Sequence, residues 1–84
     1  MNAFELTRGI VGNCLQLGVQ VNQFDTDTPL LGEIPEFNSL TMAAIIAAIE
    51  DELDVVIDDS EITAEIFETM GALAGFVEAR MTEI

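Results

Sequence analysis

Eighty-four residues, half of them hydrophobic, make one small domain with enough apolar side chain for a single thin core, and exclude a disordered acidic tail. Sixteen acids face two bases, Arg8 and Arg80, and the resulting charge of −14 repels nucleic acid and anionic headgroups while attracting basic proteins and cations. With no His and one cysteine, Cys14, the chain lacks His-based catalysis, a His metal site and an internal disulfide.

The spacing of Leu6, Ile10, Cys14 and Leu17, broadened by Phe4, Val11 and Leu15, predicts a first helix from about Ala3 to Leu17, with Gly18 as its stop. Gly18 to Phe37 reads as a long connection broken by Pro29 and Pro35. Its apolar residues Val19, Val21, Phe24, Leu30, Leu31, Ile34 and Phe37 imply that it packs down over the core, and an ordered loop of that length points to a functional segment.

Asn38 caps the predicted second helix, Ser39 to about Leu53, because its side-chain oxygen can accept from an early backbone N–H. Met42, Ile45, Ile46, Ile49 and Leu53 form its buried stripe, with Leu40, Ala44, Ala47 and Ala48 opposite. Acids fall in its last turn at Glu50, Asp51 and Glu52, where they oppose the helix dipole and folding alone gives no reason for them. Asp54–Ser60 is a turn with Val55 and Ile57 expected inward, and a short helix is expected within Glu61–Phe67. Thr69 caps a last helix to about Met81, with Met70, Leu73, Phe76, Val77 and Met81 on its apolar side. The fold class is all-α: four helices, the third short, and a long loop between the first two, within a single domain over residues 1–84.

The run Leu31-Gly32-Glu33-Ile34-Pro35-Glu36-Phe37-Asn38-Ser39-Leu40, placed at the start of the second helix of an acidic chain, resembles the acyl carrier protein family of fatty-acid and polyketide biosynthesis. In that family an Asp-Ser-Leu triplet opens the second helix and its Ser receives a phosphopantetheine arm from coenzyme A. The resemblance makes Ser39 the attachment residue and the chain a carrier, a phosphoprotein rather than an enzyme, that presents a thioester-bound acyl group to partners. A helix N-terminus, with unpaired N–H groups and partial positive charge, suits the arm's phosphodiester. The triplet here begins with Asn38, which keeps the cap but removes the negative charge that in the family helps present the site to the modifying enzyme, so the resemblance implies that modification is slower or fails.

The resemblance further implies docking of a phosphopantetheinyl transferase and acyl-handling enzymes, through basic patches, onto Asn38, Leu40, Glu50, Asp51, Glu52, Asp54, Asp58 and Asp59. It implies an acyl cavity lined by Met42, Ile45, Ile46, Ile49, Ile57, Ile62, Ile66 and Phe67, all of which are also natural core residues. Thr41 and Ala44, where family members often carry acids, shift recognition toward Leu40, the alanines and the helix end.

Two alternatives stand beside this reading. One is a peptidyl or aryl carrier of nonribosomal synthesis, although Glu36-Phe37-Asn38 differs from the usual lead-in; the other is an acidic adaptor without prosthetic group. No dedicated metal site is expected, because Asp25-Thr26-Asp27 lacks the Gly and Glu of a calcium loop. Cys14 reads as packing. No leader and no apolar run long enough for a membrane span is evident, so a cytoplasmic monomer is expected.

Overall fold

The computed structural model of the chain describes residues 2–16, 18–35 and 37–82, with 18–20 through their backbone only. The expectations for Leu17 and for the Val19 side chain lie outside the described residues. Helix α1 spans Ala3–Leu15 and starts at Asn2, whose side chain accepts the Phe4 and Glu5 N–H groups at 2.8 and 3.3 Å. It ends earlier than expected, because Gln16 turns left-handed at φ 56° and sends its N–H back to Asn13 and Gly12. The buried side of α1 centres on Thr7, Ile10, Val11 and Leu15, while Leu6 and Cys14 are half-buried at its edge. Thr7 can sit in the core because its hydroxyl donates to the Ala3 carbonyl at 2.7 Å.

The long connection has structure of its own. It opens with a 3-10 turn over Gly18–Gln23, and Val21 packs onto Gly12 of α1, where a Cβ would fall 2.9 Å from a Val21 methyl. Asp25 then closes a turn by accepting the Asp27 N–H at 2.9 Å. Val21, Leu30 and Phe37 are buried, while Phe24, Leu31 and Ile34 are half-buried against the same core.

Helix α2 covers Ser39–Leu53, and α3 covers Met70–Met81 with Thr69 as its N-cap. Ile45, Ile46, Ile49 and Leu53 of α2, and Met70, Leu73 and Val77 of α3, are buried as their spacing requires. Helix α1 packs chiefly on α3 and next on α2, so the core lies between the three. The N-terminus of α3 is satisfied by the long loop. Met70 and Gly71 donate to the Thr28 and Thr26 carbonyls, both at 2.9 Å, and Ala72 to the Thr69 hydroxyl at 3.0 Å. Leu30 and Leu31 donate in turn to Glu68 and Phe67, at 2.9 and 3.0 Å, and complete a short main-chain seam.

The expected count of four is not met, because the short third helix expected within Glu61–Phe67 is not an α-helix: among the described residues there are three α-helices, and two 3-10 turns lie between α2 and α3. Asp59–Glu61 forms the first and Ala64–Phe67 the second. Thr63 before the latter is extended and makes no side-chain cap, and Thr69 after it must also be extended to cap α3. The few residues left between cannot complete the turns that make an α-helix worth nucleating.

Candidate functional site

The start of α2 is fixed from both sides of the chain. Phe37, buried, meets Phe67 edge to face with ring centroids 5.5 Å apart, a geometry that adds about 0.5–1.5 kcal/mol beyond burial. Asn38 follows in extended conformation, and its Oδ1 accepts the Leu40 and Thr41 N–H groups at 2.9 and 3.1 Å. The Thr41 hydroxyl oxygen returns the favour by accepting the Asn38 N–H at 2.8 Å, which closes a capping box. Ser39 is the first residue of α2 and is exposed. Two N–H groups of the first turn, expected to await a phosphate, are therefore already engaged by Asn38 Oδ1. The end of the helix still offers its partial positive charge there.

Ser39 stands at the head of a groove of about 500 Å³. Ser39, Met42, Ala43, Ile46, Ala47 and Glu50 form its α2 wall. They recur at helical spacing over the twelve residues from Ser39 to Glu50, a strip about 16 Å long. Leu31 of the long loop lies on the near side; Asp59, Ile62, Thr63, Ala64 and Phe67 complete the wall opposite α2. Of the residues expected to line an acyl cavity, Met42, Ile46, Ile62 and Phe67 meet here. Ile45 and Ile49 are wholly buried and Ile57 nearly so, in the core behind the groove, and Ile66 packs against that core. Ala43, Thr63 and Ala64 were not singled out in the sequence, and Ala47, which reads there as lying opposite the buried stripe, lines the groove with Met42 and Ile46.

The acids divide by job. Glu50 points back into the fold, where its Oε2 accepts the Ile57 N–H at 2.8 Å and its carbonyl accepts the Asp54 and Val55 N–H groups. Folding thus does give a reason for this acid in the last turn. Asp58 accepts the Ser60 N–H at 3.0 Å as the cap of the Asp59–Glu61 turn. That backbone bond, with the Ser60 hydroxyl, holds the Asp58 carboxyl below its ordinary range. Asp51, Glu52, Asp54 and Asp59 are exposed, as is Leu40, 80% accessible; Val56, 91% accessible, is a second large apolar residue in the open. Cys14 is half-buried on α1, and burial pushes its thiol up, so it stays protonated and packs as a small apolar group. Among the described residues, no cluster of acids and Cys14 could hold a metal ion.

A family model for the phosphopantetheine attachment site matches residues 14–77, which contain the whole groove. The chain belongs to this family of carrier proteins. It is also similar to a holo acyl carrier protein from Nitrosomonas europaea. That protein's solution NMR structure shares 40% of residues, over 98% of this chain and 99% of that one, with a TM-score of 0.88. A comparison with curated protein sequences gives no match. The prosthetic group of this carrier is a covalently bound phosphopantetheine. An exposed hydroxyl at the head of an apolar groove suits such a group, since it joins an accessible anchor to a surface the cargo can share. Among the described residues of the carrier, no helix is long and apolar enough to cross a membrane.

Proposed function

We propose that Ser39 is the residue to which the arm is attached, and that the carrier presents an acyl group of a fatty-acid or polyketide pathway to partner enzymes. The observation that supports this most directly is the position of Ser39. It is the exposed first residue of α2, on the same helical face as the groove. The arm ends in a thiol, and its thioester keeps the acyl carbon open to nucleophilic attack.

This chain's residues do the rest by placement. Asn38 and Thr41 hold the first turn of α2 rigid, so the anchor is presented in one orientation. Met42, Ile46, Ile62 and Phe67 offer an apolar surface on which an acyl chain loses contact with water. Asp51, Glu52, Asp54 and Asp59, together with Leu40 at the opposite end of α2, form the docking strip for a phosphopantetheinyl transferase and for acyl-handling enzymes with basic patches. Asn38 borders that strip, whereas Glu50 and Asp58 contribute to it chiefly by shaping the segment that carries it. Partner enzymes perform the chemistry, and the carrier works as a cytoplasmic monomer.

The test is intact mass after incubation with a broad-specificity phosphopantetheinyl transferase and coenzyme A. The parent should gain one arm and Ser39→Ala none. Stability should move by less than ~0.5 kcal/mol, because Asn38 still caps the helix. Modification of Ser39→Ala would displace the site. A parent that is never modified, with any transferase tried, would instead point to an acidic adaptor.

A further inference from the structure

The two walls that face α2 across the groove are attached to the protein in different ways. On the near side Leu31 is held by main chain, its N–H bonded to the Phe67 carbonyl at 3.0 Å. On the far side the segment 55–63 has one main-chain bond to the helix, from the Val55 N–H to the Glu50 carbonyl at 3.1 Å, and beyond Val55 it is held by side chains. Ile57 and Ile62 turn toward the core, and Glu50 grips its beginning through the Ile57 N–H. Its end is gripped by Glu61. One oxygen of that carboxylate accepts the Asp58 N–H at 3.2 Å, and the other is paired with Arg80 Nη1 from the last turn of α3.

Arg80 is well suited to hold. Its side chain is only 18% exposed and its guanidinium lies over the Phe76 ring, 5.0 Å from the centroid. One of only two bases in a chain of charge −14 is thus placed against the outer wall of the groove. The wall also carries Asp58 and Asp59, and follows directly on Asp51, Glu52 and Asp54 of α2's end. Without the guanidinium, these like charges would push the wall outward.

We propose that the Glu61–Arg80 pair is a latch on the groove: while closed it fixes the 55–63 wall against α3, and its release widens the entrance without unfolding the helices. The latch thereby sets how readily a chain carried on Ser39 enters the groove, a consequence that rests on the function proposed above.

Amide hydrogen exchange on the full-length protein tests the latch itself. Arg80→Gln should speed exchange of the Asp58–Thr63 amides about fivefold relative to α1 and α2, the scale of a partly screened ion pair. Glu61→Gln should do the same, and the double variant should be no faster than either single one. Arg8→Gln is the control, because it removes the same charge from a side chain placed over Phe4 on α1. Unchanged wall amides in Arg80→Gln, or equal acceleration by Arg8→Gln, would overturn the latch.

An environment-sensitive fluorophore loaded on the arm tests the consequence. Its emission should be blue-shifted in the parent, and the shift should change in Arg80→Gln but not in Arg8→Gln. A probe that is fully hydrated in the parent would overturn the groove as an acyl site, while the exchange result alone would still decide the latch.

Discussion

Two glycines one turn apart on α3 should respond in opposite directions to the same added methyl. At Gly71 a Cβ would fall 2.7 Å from the Thr26 carbonyl oxygen and 3.2 Å from Thr26 Cβ. That oxygen has to retreat by about 0.7 Å to reach ordinary contact. It also accepts the Gly71 N–H at 2.9 Å, and its neighbour Thr28 accepts Met70, so retreat breaks one bond of the seam and strains the next. A lost hydrogen bond costs about 1 kcal/mol and overpacking about 1–3 kcal/mol, against a helix-propensity gain of at most ~1 kcal/mol. Gly71→Ala should therefore destabilise by about 1–3 kcal/mol, which lowers Tm by about 5–20 °C in a domain of this size. Gly75 is exposed and has nothing within 4 Å of its Cβ position, so Gly75→Ala should gain about 0.5–1 kcal/mol. Both changes restrict the unfolded chain equally, and the difference between them isolates the contact with the loop. Thermal and urea unfolding followed by circular dichroism measure both. A Gly71→Ala protein as stable as Gly75→Ala would refute the tight abutment of loop and helix.

Glu50→Ala removes the acceptor for the Ile57 N–H and should cost about 1–2 kcal/mol in urea, while Glu50→Gln, which keeps an acceptor, should cost much less. Equal losses would mean that the carboxylate's charge matters and its hydrogen bond does not. Asp54 ends α2 in the left-handed region at φ 55°, so Asp54→Gly should raise stability by about 0.5–1 kcal/mol in thermal melts, and Asp54→Asn separates backbone relief from loss of charge. Asp58 has a folded pKa below its ordinary 3.8, so its contribution is complete above that value and disappears as pH falls through the lower folded one. Asp58→Asn should flatten this acid limb of the stability curve, and an unchanged limb would remove Asp58 from the account.

Local signals were legible and distant ones were not. Asn38 and Thr69 announce the starts of α2 and α3, because a cap and the apolar spacing behind it lie within one short window. The end of α1 was not legible, since Gln16 gives no sign that it will turn left-handed. The seam between Thr26–Leu31 and Phe67–Gly71 is made of main-chain bonds between segments some forty residues apart, and main chain leaves no mark in a sequence. For the same reason Glu50 read as a docking acid with no part in folding: the N–H it serves belongs to Ile57, beyond the helix end. Of the cavity residues, Ile45 and Ile49 differ from Ile46 only by their angle around α2, and apolar spacing alone does not say which side of a wide stripe faces a groove.

The capping box at Asn38 bears on how cargo travels. Because Asn38 Oδ1 already takes the Leu40 and Thr41 N–H groups, a phosphodiester attached at Ser39 as proposed above would meet the helix field without a ready-made seat of those donors. The arm would then behave as a tether, pinned at one end and swivelling. Its thiol would sample a small volume around α2 at an effective concentration set by arm length, not by contacts with the helix. A partner docked on the proposed strip would not have to pull the phosphate away from these two amides before it takes the cargo. With the arm and cargo placed as proposed, delivery would then be limited by docking and by departure of the acyl chain from the groove.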